Sequence, residues 1–402
     1  MVSRFDKPSP AISFVGRHNS GKTTLIVKVI SELVSRGLNI GSIKHHGHPD
    51  FDIDYPGKDS YRHREAGSCD VVVISPVRMA RITEIHDEPS CGEVVASMPN
   101  HDLVIVEGYR QSGLPVIEVL RQGNERDAPA AEQLCAEGHV RGVVPVAVVT
   151  DMESVASYAK SKAIPSFDIN DVQGVADFLQ ERYARPKLTV AIQAGGESRR
   201  MGQSKATVPF LGRPLIERIV ERVAPVADEI VITTNEAENL AFLNAIDTCC
   251  DLRLVPDVYE ERGALRGLYS ALNAASNPCV AVVACDMVFA SASLMAHEAV
   301  AMQMRGADAV VPCNRFGFEP FHAVYRADVC MPAISDAIAQ GKVRARDFYE
   351  RINLSRFERE DIEKAAPGGG CFANVNTSEE LVRMERSIQE NGDRWPCLQF
   401  WI

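Results

Sequence analysis

Apolar positions along this chain follow two alternating rhythms. Short, continuously apolar runs appear as AISFV from Ala11, DLVIVEG from Asp102 and VPVAVVTD from Val144. The second half repeats them as LTVAIQ from Leu188, EIVITT from Glu229, CVAVVACD from Cys279 and ADAVVP from Ala307. Runs this short and this uniformly apolar suit strands covered on both faces of a mainly parallel sheet. Between them lie amphipathic stretches. From Thr23 to Ser35, the residues Leu25, Ile26, Val29, Ile30, Leu33 and Val34 share one helical face, and Gly37 supplies a C-terminal stop. Pro214 to Val223 reads as a second helix, with Pro214 in the first turn, where a missing N–H costs little. The alternation predicts an α/β chain of two doubly wound, mainly parallel sheets, each with its active loop after the first strand. ERYARPK, around Tyr183–Lys187, separates an amphipathic stretch from a new buried strand without a Gly/Ser spacer. Domains of residues 1–185 and 186–402, sitting close together, follow.

Composition narrows the class. A 402-residue chain with 46% hydrophobic and 24% charged residues suits folded domains and not a disordered chain. No run approaches the roughly 18 apolar residues of a membrane span, and MVSRFDKPSP lacks the apolar centre of a secretory signal. The expectation is a protein that stays in the cytoplasm and makes no membrane contact. A net charge of −11 gives no broad basic footprint for nucleic acid. The 11 cysteines include no CxxC pair, and adjacent Cys249 and Cys250 suit no simple bridge, so reduced thiols are expected.

Chemistry concentrates in two loops. Gly16-Arg17-His18-Asn19-Ser20-Gly21-Lys22-Thr23 fits GxxxxGK[ST] at every fixed position, after a strand and before a helix. The glycines allow a tight turn that aims backbone N–H groups at phosphate oxygens, helped by the helix N-terminus. Lys22 adds positive charge near the outer phosphates, and the Thr23 hydroxyl is a Mg²⁺ ligand candidate. Glu107, ending an apolar strand before Gly108, is a second candidate for Mg²⁺. The segment Lys44–Asp54 carries His45, His46, His48, Asp50, Asp52 and Asp54 at a spacing that fits no common zinc pattern. A nucleotide-responsive loop close to the phosphates is the favoured reading, metal ligation the lesser one.

These blocks carry a resemblance. GRHNSGKTT, KHHGHPDFDIDYPGKDSYRHREAG and DLVIVEGYRQSGLPVIEV, with IPSFDINDVQGVADFL after them, resemble MobB, the GTP-binding protein of molybdenum cofactor biosynthesis. The resemblance covers about Ile12 to Leu179. It implies a P-loop NTPase-like fold and a slow GTPase that assists a partner and is often a dimer. It points to Gly16, Asn19, Ser20, Gly21, Lys22, Thr23 and Thr24 as GTP contacts. Thr150-Asp151 lies where G-protein-like folds read guanine, without a full [NT]KxD.

The second loop, Ala194-Gly195-Gly196-Glu197-Ser198-Arg199-Arg200-Met201-Gly202-Gln203-Ser204-Lys205, is no Walker loop, because its lysine lies nine residues past the second glycine. Small residues let the chain pass beneath a base and triphosphate, while Arg200 and Lys205 can neutralise charge on a leaving pyrophosphate. GGxSxRMGxxK, followed by LGRPLIERIV, resembles the nucleotidyltransferases that include sugar-phosphate nucleotidyltransferases and MobA, the molybdenum cofactor guanylyltransferase. Thr233-Thr234-Asn235, Val255-Pro256-Asp257, Cys285-Asp286-Met287 and Phe372–Thr377 extend the likeness from about Leu188 to Met384.

That resemblance implies a Rossmann-like fold and site roles. Gln193, Ala194, Gly195 and Gly196 contact GTP, Lys205 its phosphates, and Asn235 and Asp257 the nucleoside, with Asp257 a candidate for guanine selection. Asp286 holds Mg²⁺, and Asn374 and Asn376 lie on the pterin side or are simply turn residues before a helix capped by Thr377 or Ser378. Gln193 departs from the family, which more often has an apolar residue before AGG. Cys313–Pro320 is either a pterin-facing loop or a hairpin, and the aromatic end Trp395–Trp401 is expected to dock on a domain surface.

The reaction implied is GMP transfer from GTP to molybdopterin (Mo-MPT), with catalysis by Lys205, Arg200 and Asp286. Implied partners are a molybdoenzyme or cofactor-insertion protein, and a second copy through the N-terminal domain. CTP or a sugar phosphate as substrate, and a non-catalytic GTP-dependent adaptor, are the alternative readings.

Overall fold

A computed structural model of the chain describes residues 6–47, 52–195 and 204–391. The described residues divide into two compact units, one within 11–98 and 104–176, the other within 6–10, 99–103, 177–195 and 204–391. The short segments join the second unit through contacts distant in sequence: Arg185 Nη2 donates to Asp102 Oδ1 at 2.7 Å, and Arg185 N to Asp102 O at 2.7 Å.

The first unit opens with β1 (Ala11–Val15), α1 (Lys22–Ser35), β2 (Ile40–Lys44), α2 (Asp59–Glu65), β3 (Asp70–Ile74) and β4 (Met79–Thr83). It continues with α3 (Cys91–Ala96), β5 (Leu103–Glu107), β6 (Val116–Leu120), α4 (Ala128–Glu137), β7 (Ala147–Thr150), α5 (Glu153–Ser161), β8 (Ser166–Phe167) and α6 (Val172–Arg182). Its sheet runs β2-β5-β1-β6-β7-β8, while β3 and β4 form a separate antiparallel hairpin. Strand β1 pairs in parallel with β5 on one side and β6 on the other. The order therefore switches direction at β1, and the loop after it stands where open α/β sheets place their ligands. Leu25, Ile26, Val29 and Leu33 of α1 are buried, as the apolar stripe predicts. Gly37 adopts φ +88°, and Leu38 N reaches back to Leu33 O at 3.2 Å, which ends the helix where expected.

The second unit contains β9 (Leu188–Gln193), β10 (Pro209–Phe210), β11 (Arg213–Pro214), α7 (Leu215–Val223), β12 (Glu229–Thr233), β13 (Asp251–Val255), α8 (Ala264–Ala274) and β14 (Cys279–Ala284). After these come α9 (Ala292–Arg305), β15 (Ala309–Asn314), β16 (Gly317–Phe318), β17 (His322–Arg326), α10 (Ala327–Ala339), β18 (Leu354–Phe357), α11 (Arg359–Ala365) and α12 (Ser378–Asn391). The main sheet runs β13-β12-β9-β14-β17-β15-β16, with β18 on β15. Strands β13, β12, β9 and β14 are parallel, and β17 is antiparallel to β14 and β15. Here the switch point is β9, flanked by β12 and β14. Cys313–Phe318 and Asn314–Gly317 pair across an antiparallel turn, so the segment left open between loop and hairpin is a hairpin. Thr377 Oγ1 accepts from Glu380 N at 3.1 Å and caps α12.

Among the described residues no cysteine is disulfide-bonded, and no helix is long and apolar enough to cross a membrane.

Candidate functional site

Two clusters form where the switch points leave backbone exposed. In the first unit the turn after β1 is forced by sterics. A Cβ on Gly16 would stand 2.5 Å from Val119 O and 2.8 Å from Ser20 Oγ. Asn19 and Gly21 take φ +66° and +86°, the left-handed region that lets successive N–H groups face inward. Asn124 Nδ2 donates to His18 O at 3.1 Å and to Asp127 Oδ2 at 2.7 Å, bracing the loop from outside. The sequence reading missed Asn124; nothing in NERDAP marks it as a brace until the loop lies beside it.

Lys22 Nζ donates to Arg17 O at 2.6 Å and Ser20 Oγ at 3.3 Å, folding back over the loop. Burial lowers its pKa, and Glu107 opposes that shift. Burial also lowers that of Arg17, with repulsion from Arg141 and Arg110 adding to it and Glu118 and Asp127 opposing. Thr23 Oγ1 donates to Glu107 Oε1 at 2.8 Å, and Lys44 Nζ lies 3.7 Å from the same oxygen. The two Mg²⁺ candidates are thus adjacent, and a hydroxyl beside a carboxylate is the hard, all-oxygen donor set Mg²⁺ takes. Thr24 is exposed on the first turn of α1.

The His/Asp-rich segment does not form a metal cluster among the described residues. His45 Nε2 contacts Glu88 at 2.8 Å, and its ring lies 4.0 Å from that of Tyr109. Its backbone N bonds to Glu107 O at 3.0 Å, which sets the start of the segment beside the phosphate loop. His48 and Asp50 lie outside the described residues. Asp151 accepts from Gln122 N at 2.6 Å.

In the second unit, β9 places Gln193, Ala194 and Gly195 at the switch point, in register with Thr233 of β12 and Ala284 of β14. Cys285 N donates to Gln193 O at 3.1 Å, which carries Asp286 to the same sheet end. Lys205 Nζ bonds both Asp286 Oδ2 at 3.0 Å and Asn376 Oδ1 at 2.9 Å. Val375 N bonds Asp286 O at 3.0 Å, so three segments far apart in sequence meet at one ion pair. Asn374 is exposed nearby in the chain. Asp286 supplies the hard oxygen a Mg²⁺ ion needs, with Lys205 beside it. Gly196 and Arg200, with Arg199, lie outside the described residues, as does Trp395–Trp401.

Beside this pair lies a cleft of about 330 Å³, lined by Gln193, Gly195, Thr233, Asp257, Tyr259, Arg262, Arg266, Gly267 and Ser270 among others. Asn235 Nδ2 donates to Asp257 Oδ2 at 3.2 Å, and Asp257 N to Asn235 Oδ1 at 3.1 Å. A Cβ on Gly195 would stand 2.6 Å from Asp257 Oδ2, so a larger residue there would push this carboxylate off the loop. Burial raises the pKa of Asp257, with Ser270, Arg262 and Asn235 opposing. Tyr259, Arg266 and Ser270 were not singled out from sequence, because only the fold brings them to the cleft.

The comparisons with known proteins divide along the same line. The family described as Molybdopterin guanine dinucleotide synthesis protein B matches residues 11–143, and the MobA-like NTP transferase domain matches residues 190–357. The chain is 37% identical over 176 residues to the molybdopterin-guanine dinucleotide biosynthesis adapter protein of Escherichia coli (strain K12), covering 43% of this chain and 92% of that protein. It is 34% identical over 203 residues to a probable molybdenum cofactor guanylyltransferase of Pelotomaculum thermopropionicum, covering 50% of this chain and 94% of that one. A molybdenum cofactor guanylyltransferase of Desulfosudis oleivorans is 30% identical over 208 residues, with 50% and 96% covered.

Proposed function

This chain belongs to the molybdopterin guanine dinucleotide synthesis protein B family in its first half and to the MobA-like NTP transferases in its second, and from that premise we propose that it transfers GMP from GTP to molybdopterin, with an N-terminal GTP-binding domain in support. Residues 1–185 are read as the adaptor and 186–402 as the transferase. The observation that carries the reading is the Lys205–Asp286–Asn376 cluster beside the Asp257 cleft, at the one sheet end.

The acceptor is a phosphate and already a nucleophile, so no activating Ser–His pair is needed. Its oxygen forms a bond to the α-phosphorus of GTP while the bond to the β-phosphate oxygen breaks, and pyrophosphate leaves with the electron pair. Catalysis then consists of alignment and charge stabilisation. The backbone of Gln193, Ala194, Gly195 and Gly196 carries the nucleotide, and Asn235 and Asp257 hold the nucleoside. Lys205 and Arg200 neutralise charge on the departing pyrophosphate. Asn374 and Asn376 face the pterin. Mg²⁺ held by Asp286 supplies charge screening between phosphates when bound. In the first unit, Gly16, Asn19, Ser20, Gly21, Lys22, Thr23 and Thr24 cradle a second GTP, with Mg²⁺ at Thr23 and Glu107.

A second copy of the chain is proposed to dock on the β3–β4 hairpin. Val73, Ile74, Val77 and Met79 are 50%, 75%, 93% and 65% exposed, an apolar concentration that suits an interface. A molybdoenzyme or insertion protein receives the product, and the cytoplasm is the proposed location.

Full-length protein incubated with Mg²⁺, molybdopterin and either GTP or CTP tests the reading by mass spectrometry of the dinucleotide. Guanine dinucleotide is expected. Product with CTP alone would sink the guanylyl assignment, and none with any nucleotide would favour the non-catalytic adaptor.

A further inference from the structure

Gln193 closes β9 with its carbonyl accepting from Cys285 N, which leaves its side chain to be explained. Its Nε2 is buried and has no hydrogen-bond partner among the described residues. A buried amide donor without an acceptor costs free energy that an apolar residue at this position would avoid. Helix α8 passes alongside at Gly267, where a Cβ would stand 3.4 Å from Nε2, in ordinary van der Waals contact with the amide. The amide lines the same cleft as the Asp257 carboxylate.

We propose that the Gln193 side chain is a specificity-determining group that donates from Nε2 to O6 of the guanine base of the transferred nucleotide. Of the polar groups lining the cleft, Nε2 is a donor without a partner among the described residues and Asp257 is an acceptor, while the Arg262 and Arg266 guanidiniums are further donors along the wall. Guanine presents the complement along one edge, the O6 acceptor next to the N1–H and N2–H donors. Adenine reverses the donor and acceptor at positions 6 and 1, so it meets this pair with like facing like. Discrimination of this type is strong because the wrong base leaves buried polar groups unpaired. The inference rests on the guanylyl-transfer reading above and adds which side chain reads which atom.

The test measures kcat/KM for molybdopterin-dependent dinucleotide formation by the full chain with GTP, 6-thio-GTP and ITP. The sulfur of 6-thio-GTP is a weak acceptor, whereas ITP keeps O6 and lacks the 2-amino group. Wild type is expected to use GTP about tenfold better than 6-thio-GTP, the worth of one hydrogen bond. Gln193→Leu should lower GTP use by about the same factor and leave 6-thio-GTP nearly unchanged, so the ratio collapses toward one. The GTP-to-ITP ratio, which reports on Asp257, should stay put. Gln193→Glu keeps the shape but turns the donor into an acceptor, and should lose GTP more than tenfold. A GTP-to-6-thio-GTP ratio unchanged in Gln193→Leu would overturn the proposal, as would an equal loss on all three nucleotides. Wild type forming no dinucleotide from any of them would instead refute the transfer reading.

Discussion

The most exacting prediction concerns two groups that no proposed step uses. Glu298 of α9 and His322 of β17 are both fully buried, with His322 Nδ1 3.8 Å from Glu298 Oε1. Neither carboxyl oxygen of Glu298 has a hydrogen-bond partner, nor does His322 Nδ1, among the described residues. His322 Nε2 accepts from Ser291 N at 3.0 Å, which fixes the tautomer with its proton on Nδ1. Burial raises the Glu298 pKa well above its ordinary 4.5 and lowers that of His322 to about 4. Both shifts favour the neutral form of the group over the charged one.

The two shifts act on stability with opposite signs. Above pH 4.5 the unfolded chain releases the Glu298 proton before the fold does, so stability falls by up to about 1.4 kcal/mol per pH unit until the raised folded-state pKa is passed. Between about pH 4 and 6.5 the unfolded chain holds a His322 proton that the fold does not, so stability rises with pH there. The two slopes oppose each other over the range they share. Glu298→Gln is neutral in both states and removes the first of them. Relative to wild type, the variant should gain up to about 1.4 kcal/mol per pH unit as pH rises above 4.5. Urea titrations that follow alkylation of Cys279 and Cys330, both buried in the second unit, read this unit separately from the first. Comparing the two proteins at each pH cancels the intrinsic thiol reactivity. A variant whose stability runs parallel to wild type from pH 4.5 upward would refute the raised Glu298 pKa.

Three further outcomes are expected. Lys205→Ala should lower guanylyl transfer by about 10²–10³-fold with the melting temperature little changed, and an activity above a tenth of wild type would remove Lys205 from the charge-stabilising role. Lys22→Ala should abolish GTP hydrolysis while most guanylyl transfer remains, because the two phosphate loops follow different strands; near-complete loss of transfer in a folded protein would contradict separate sites. Replacing the exposed hairpin residue Ile74 by Lys should shift a dimer toward monomer in light scattering, and an unchanged mass would move the interface elsewhere.

What was legible in the sequence is what local backbone geometry dictates. Gly16, Gly21 and Lys22 sit at spacings imposed by a phosphate-sized turn, and Gly37 by a helix end, so short windows reveal them. Asp286 and Glu107 were legible as acids closing apolar strands. Their partners Lys205 and Thr23 were legible from their own loops, but the pairings emerge only from sheet order. Glu298 in AHEAVAMQ gives no local sign of burial, because β17 and not its own helix covers it. The same holds for Asp102 and Arg185, whose pairing assigns residues 99–103 to a unit that begins again at 177.

The two phosphate loops also solve one problem in different ways, and the difference has a consequence. An acidic chain must place cations where polyanions bind without leaving them unpaired. Lys22 rests on a carbonyl and a hydroxyl, neutral acceptors that a phosphate displaces without uncovering a charge. Lys205 rests on the Asp286 carboxylate, so a phosphate that draws the lysine away leaves an acid facing an incoming anion. That acid needs a new counter-charge, and a divalent cation is the group that fits both it and the phosphates. Nucleotide binding proposed at the second loop should therefore depend on Mg²⁺ more steeply than that proposed at the first.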